Sequence, residues 1–251
     1  MVTPRLAASL NATLNRAPET MPPGLHWCLA PALAATRDLA ADGLPARGGF
    51  LPPVDLPLRM WAGGRLEVHD AFRPGDAVTR RSTVSDIALK EGRSGPLCFV
   101  TVAHDYETPR GPAISERQDI VYRAAAGPGA APSLDLPKPQ WTTHVMADAV
   151  LLFRYSALTF NAHRIHFDRD YCRDAEGYRD LLVHGPLQAT LLMGFAADIE
   201  GRPPRCFDYR ALMPLYAGAE FTLNGARSAS GLTVWTADRA GHVAMKAEVS
   251  W

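Results

Sequence analysis

The sequence predicts an α+β fold in which an antiparallel sheet wraps a buried helix. Residues Pro186–Ile199 form a long, mostly apolar helical run. The stretches before and after it read as short strands joined by glycine turns. The segment Ala124–Pro139, AAAGPGAAPSLDLPKP, has linker composition and leaves two halves of similar size.

Taken in order, Arg5–Leu14 fits an amphipathic helix, and a Pro/Gly-punctuated stretch follows from Pro22 to Pro57. From Arg65 the period changes to two. Leu66 and Val68 alternate with Arg65, Glu67 and His69, as in a half-buried strand. Arg80–Leu89, Pro96–Tyr106 and Ile114–Arg123 continue as strands, with turns at Lys90–Gly95 and Thr108–Gly111. In the second half, Glu220–Leu223, Leu232–Ala237 and Val243–Val249 read as strands. In the helical run, Pro186 suits the first position, where a missing N–H costs nothing. Leu187, Thr190, Leu191, Gly194, Phe195 and Ile199 share one face, Gln188 and Asp198 lie on a more polar one, and Glu200-Gly201-Arg202-Pro203 stops the helix. A short echo hints at duplication: Phe72-Arg73-Pro74-Gly75 precedes Val78-Thr79 by the same step that separates Leu215-Tyr216-Ala217-Gly218 from Phe221-Thr222.

Composition bounds the function. The chain has 251 residues, 47% of them apolar, with 26 basic and 26 acidic side chains. That is enough to bury a sizeable core, and the balance of charge argues against nucleic acid as the main partner. A small anionic ligand needs only a few local cations. Four scattered cysteines form no Cys-x-x-Cys pair, which speaks against a zinc or redox site and fits a reducing, cytoplasmic setting. The N-terminus has no basic segment leading into an apolar run, and no stretch approaches the roughly 20 apolar residues of a membrane span. No membrane partner is expected.

The densest polar cluster is Phe153–Asp168, FRYSALTFNAHRIHFD, followed by Val183-His184-Gly185-Pro186-Leu187-Gln188 at the start of the apolar helix. Both fall between β-rich stretches, where a loop is held by a rigid scaffold. The pattern Asn161-x4-His166-x-Asp168, with His184-Gly185-Pro186 after it, resembles the signature of MaoC-like (R)-specific enoyl-CoA hydratases. Those enzymes carry an Asp, four residues and a His, and later a His-Gly opening the central helix of a hotdog fold. Arg154–Asn161, Arg59-Met60-Trp61-Ala62-Gly63-Gly64 and Glu91–Leu97 are similar to the double-hotdog branch of that family. The branch includes itaconyl-CoA and mesaconyl-C4-CoA hydratases and type-2 3-hydroxyacyl-thioester dehydratases. The resemblance covers most of the chain.

The resemblance implies a double hotdog: two antiparallel sheets, each curled on a helix, in tandem. Residues 1–125 would form a non-catalytic, pocket-shaping hotdog with a reduced helix, 126–138 the linker, and 139–251 the hotdog carrying the motif. It also implies reversible hydration of an enoyl-CoA, preferably a short branched dicarboxylic one such as itaconyl-CoA or mesaconyl-C4-CoA, giving citramalyl-CoA. Dehydration of a 3-hydroxyacyl thioester in fatty-acid or polyketide metabolism is the alternative. A non-catalytic acyl-thioester binder is the alternative from another class. Thioester hydrolysis is disfavoured, because Gly185-Pro186-Leu187-Gln188 offers no carboxylate at the helix.

The implied catalytic set is His166, Asn161 and Gly185. The family's acidic partner is here Asn161, and an amide takes up no proton at neutral pH. His166 would move the proton alone, with an ordinary pKa near 6.5. Asn161 would orient water or the thioester, and the N–H of Gly185 at the helix start would receive negative charge on the thioester oxygen. Glycine there would let the carbonyl approach closely. Implied substrate contacts are Arg154, Tyr155, Trp61 and His184. Arg154 is read either as a bidentate clamp for an acyl carboxylate or as a scaffold ion pair. Trp61 is read as a wall of the acyl site or as core, and His184 as a brace for the loop. His163 is structural or pocket-lining. Asp168 is better read as the N-cap of a helix over Arg169–Arg173 than as a partner of His166. Lys90 and Arg93 are solvated charges or contacts for coenzyme A phosphates. His163, His166 and Asp168 fit no common zinc spacing, so no metal is expected, and no cofactor beyond the coenzyme A carried by the substrate. A homodimer through edge strands or helix faces is compatible with all of this.

Overall fold

The computed structural model describes residues 1–92, 95–124 and 134–251. Most of the segment read as a linker, and Arg93, lie outside the described residues. The strands are β1 (Leu58–Val68), β2 (Thr79–Gly92), β3 (Gly95–Thr108), β4 (Gly111–Arg123), β5 (Trp141–Met146), β6 (Cys206–Ala211), β7 (Glu220–Ser228), β8 (Gly231–Ala237) and β9 (Val243–Ser250). They form one nine-stranded sheet in the order β2-β3-β4-β1-β6-β9-β8-β7-β5. Every pairing is antiparallel. Two separate sheets were expected. Instead β1 pairs with β6, from Gly63↔Arg210 to Glu67↔Cys206, so the strands before the linker and those after it share one sheet.

The predicted helix is present as α4 (Gly185–Glu200), closed by Gly201 at φ +77°. Leu187, Ala189, Leu192 and Ala196 are fully buried in it. They join a core with Phe207, Phe221, Leu232, Val234, Met245 and Ala247 from the strands. Burying a leucine of this kind contributes about 1.5–3 kcal/mol, so this face fixes the helix on the sheet. Gln188, read as part of the more polar face, is not exposed to solvent. It is buried, and its Oε1 accepts the Thr236 hydroxyl at 2.8 Å. That hydrogen bond offsets the cost of sealing an amide in the core.

Three elements were not legible. The motif-bearing segment begins as a helix, α2 (Ala149–Thr159), capped by Asp148, whose Oδ1 accepts the N–H of Leu151. Strand β5 is an exposed edge with no apolar alternation, and β6 is short. Both owe their conformation to pairing with β7 and with β1 and β9.

The glycine echo is real in three dimensions. Gly75 donates its N–H to Val2 O at 2.8 Å, and Gly218 donates to Ala147 O at 2.7 Å. Val2 and Ala147 each precede a helix N-cap: Thr3 of α1 (Pro4–Thr13) and Asp148 of α2. The two helices pack on each other. Asn15 lies as far beyond Val2 as Phe160 lies beyond Ala147, and both are left-handed, at φ +54° and +52°. Among the described residues before β1, only 3₁₀ turns at Leu25–Cys28 and Thr36–Asp38 follow α1, so nothing there matches α4.

Candidate active site

The loop after α2 is shaped by its own side chains. Asn161 Oδ1 accepts the N–H of His163 at 2.9 Å, closing a tight turn. A 3₁₀ turn, Arg164–His166, follows. Asp168 then caps α3 (Arg169–Asp174) by accepting the N–H of Tyr171. That bond, with the Arg164 guanidinium at 2.7 Å, holds the Asp168 carboxyl below its usual range. Asp168 is therefore a cap, as the sequence suggests. The loop is clamped from the first half: Arg164 donates its N–H to Asp42 O at 2.8 Å, and an ideal Cβ on Gly43 would lie 2.0 Å from Ala162 O.

Three buried imidazoles converge here. His166 donates from Nδ1 to Leu182 O at 2.8 Å. The acceptor fixes the tautomer, so Nε2 carries the lone pair. Nε2 has no partner among the described residues and is not sealed from solvent. The ring stacks on His184, with centroids 3.5 Å apart and planes 20° from parallel. His163 meets His166 edge-on at 5.6 Å, and its Nε2 lies 3.4 Å from Glu176 Oε1. Burial pushes His166 down to about 3, and nearby His163 lowers it further, against the Leu182 carbonyl. His184 is also driven well below the usual imidazole value by burial. His166 is thus a neutral acceptor at neutral pH.

His184 is fully buried. It is the N-cap residue of α4, and its Nε2 pairs with Ser156 Oγ at 2.8 Å. These contacts give it the bracing role read from the sequence, and it immediately precedes Gly185. The N–H of Gly185 has no acceptor among the described residues, as befits a helix start. The reason for glycine is different from the one expected. An ideal Cβ there would stand 2.4 Å from Trp61 Cε3, so the indole occupies the space a side chain would need. Trp61 stacks on Tyr209 at 4.5 Å and meets Trp27 edge-on at 5.7 Å. It is partly buried and packs against the core. Gly185→Ala should push the indole aside and lower kcat/KM roughly 10²-fold, the scale of a small misplacement of reacting groups. Trp61→Phe in the same chain should restore part of that loss. Wild-type kinetics in Gly185→Ala would refute the tight contact.

The α2 helix sorts the remaining residues by its 3.6-residue period. Phe153, Ser156, Ala157 and Phe160 share one face and, with Asn161, Phe167 and residues 32–45 from the first half, line a cavity of about 530 Å³. Arg154 is turned about 100° away from Phe153. It is exposed and lines a different cavity with Arg16, Asp148 and Asp198. The helical period thus puts Arg154 on a different cavity from Phe160 and Asn161. Tyr155 is buried as well. Its hydroxyl lies 3.3 Å from Thr190 Oγ1 and its ring meets His184 edge-on at 5.1 Å, so it supports His184 from the core side instead of lining the cavity. Sequence reasoning missed Ser156, Phe160 and Glu176; the spacing 153-156-157-160 was the available signal for the first two. Lys90 sits over the Phe99 ring at 4.9 Å. Among the described residues, no three His, Cys, Asp or Glu side chains are grouped to hold a metal, and no helix is long and apolar enough to cross a membrane.

A family model for hydroxyacyl-thioester dehydratase type 2 matches residues 24–217. Over 206 residues, 81% of this chain and 74% of the relative, the sequence is 46% identical to the mesaconyl-C(4)-CoA hydratase of Chloroflexus aurantiacus. The solved structure of HtdX from Mycobacterium tuberculosis superposes with a TM-score of 0.71 at 17% identity, covering 99% of this chain and 96% of that one. A second Mycobacterium tuberculosis structure, described as a double hotdog, superposes at 0.56 with 14% identity over 99% of this chain and 92% of that one. The fold is the double hotdog.

Proposed function

The chain belongs to the hydroxyacyl-thioester dehydratase type 2 family, and from that premise we propose that it hydrates a short, branched, dicarboxylic enoyl-CoA, with His166 as the proton-transfer group. The observation that carries the mechanism is the orientation of His166: Nδ1 is spent on Leu182 O, Nε2 is open, and the ring lies against the residue preceding Gly185.

The thioester carbonyl makes the β-carbon electrophilic. His166 Nε2 takes a proton from water while the water oxygen bonds to that carbon. The π electrons move through the α-carbon onto the thioester oxygen, where the Gly185 N–H receives the charge. That developing negative charge favours the imidazolium, raising the low affinity of His166 for its proton as the reaction proceeds. The imidazolium then protonates the α-carbon, and the base is restored. Asn161 commits its carbonyl oxygen to the His163 N–H, leaving its NH₂ to donate to water or to the thioester oxygen. Dehydration of a 3-hydroxyacyl thioester is the same sequence reversed. No cofactor enters the scheme, since the coenzyme is part of the substrate. Loss of the conjugated enoyl absorbance across a panel of enoyl-CoAs tests the reading. Thiol release in place of hydration, or binding without turnover, would overturn it.

The acyl carboxylate needs a cation. Arg59 is a better candidate than Arg154. Its side chain is 10% exposed, and among the described residues Nε is sealed without a partner and the one ion pair, to Asp42, spans 3.5 Å. It lies two residues before Trp61 and so on the same face of β1. Arg59→Met should lower kcat/KM for a dicarboxylic enoyl-CoA at least tenfold more than for a monocarboxylic one, the scale of a lost charge-assisted pair. Arg154→Met should leave that ratio unchanged. A ratio that moves with Arg154 and not with Arg59 would reverse the assignment.

A further inference from the structure

Phe160 holds a conformation that its side chain disfavours. It ends α2 at φ +52°, a left-handed backbone that costs energy for any bulky L-residue and suits glycine or asparagine. Its counterpart in the first half, reached by the same step from the equivalent N-cap, is Asn15. The half without the motif thus uses a tolerant residue, and the half with it uses a phenylalanine. Core packing does not account for the choice, because Phe160 is 59% exposed. Phe153 and Phe167 are 68% and 53% exposed and line the same cavity. Strain retained at a position with no burial to offset it points to a ligand.

We propose that Phe160, together with Phe153 and Phe167, forms an aromatic collar that grips the coenzyme A arm of the thioester outside the reacting carbons. This rests on the function proposed above. The three rings are more than half exposed, so they stand where the cavity opens, whereas the short acyl group must reach the buried His166. A pantetheine chain carries methyl and methylene groups past such rings, and an adenine base stacks on them without sequence-like specificity. Much of the remaining lining, with Ala32, Ala34, Leu39, Leu44 and Pro45, offers apolar contact, and Thr36, Ser156 and Asn161 are its polar members, which suits an arm held mainly by dispersion.

Phe160→Asn is the discriminating variant, because asparagine occupies the equivalent position in the same chain. Its Tm should rise by about 2–4 °C as the strain is relieved. Free coenzyme A, measured by equilibrium dialysis, should bind about tenfold more weakly, the scale of one lost aromatic stack. kcat/KM should fall about tenfold on an enoyl-CoA and stay at the wild-type value on the same acyl group carried by N-acetylcysteamine, which lacks most of the arm. Phe160→Gly should behave likewise, which guards against a fault peculiar to asparagine. Undiminished coenzyme A binding, or equal losses on the long and truncated thioesters, would overturn the collar. If the wild-type protein hydrates no enoyl thioester, the proposed function fails, while the dialysis result still decides the collar on its own.

Discussion

His166→Ala is expected to fold and to lose about 10²–10⁴-fold in turnover, the range typical of removing a positioned acid/base. The expectation follows from the scarcity of substitutes. Asn161 is not titratable, and Asp168 is committed to Tyr171 and Arg164. His184 is sealed and paired with Ser156, and His163 directs Nε2 toward Glu176. The substitution also removes the hydrogen bond to Leu182 O, worth about 1 kcal/mol, and the ring that stacks on His184. His166→Asn keeps a polar group in the space and serves as the control for packing. Both variants should melt cooperatively, and both should show the loss in the enoyl absorbance assay. Near wild-type turnover in either folded variant would remove His166 from the mechanism.

The second large effect is on stability in mild acid. Burial holds His26 and His166 at about 3 and His104 at about 4, and drives His184 well below the ordinary value. In the unfolded chain each titrates near 6.5. Between those values the unfolded state binds protons that the folded state does not, so stability falls as the pH drops through 6.5 toward 4. One buried carboxyl acts in the opposite direction. Glu116 is raised by burial and takes up a proton more readily when folded, which opposes the histidines. Integrated from an unfolded pKa near 6.5, the four histidines together amount to roughly 6 kcal/mol between pH 6.5 and 5, before the opposing contribution of Glu116. That rivals the whole stability of an ordinary domain. Urea melts at pH 7.5, 6.0 and 5.0 should show the midpoint falling steeply, and His26→Gln should flatten part of the slope without touching the candidate site. A midpoint constant from pH 7.5 to 5.0 would show that these imidazoles are not held neutral.

Much of this protein was determined by sequence alone wherever a local period or a cap sufficed. The apolar period of Pro186–Ile199 specified α4 and its glycine stop, and alternation specified most strands to within a few residues. Asp168 announced a helix start because capping needs only neighbours three residues away. The short spacing Asn161-x4-His166 flagged the loop, and the echo at Gly75 and Gly218 flagged the repeat, since both are written within a few residues.

Only the tertiary structure decided what depends on partners distant in sequence. The segment Ala149–Thr159 is apolar nearly all round and carries an arginine, so its period was hidden until α1 and the core selected its faces; that selection sent Arg154 to one cavity and Phe160 to another. Gly185 looked like an opening for a substrate, and the chain instead brings Trp61 from the far half to fill the place of a side chain. The β1–β6 pairing that makes one sheet of nine strands joins residues far apart in the chain, as does the bond from Arg164 to Asp42 that clamps the motif loop. Periodicity and caps are properties of adjacent residues, whereas the tautomer of His166, its burial and its stack on His184 are set by whatever the fold packs around it.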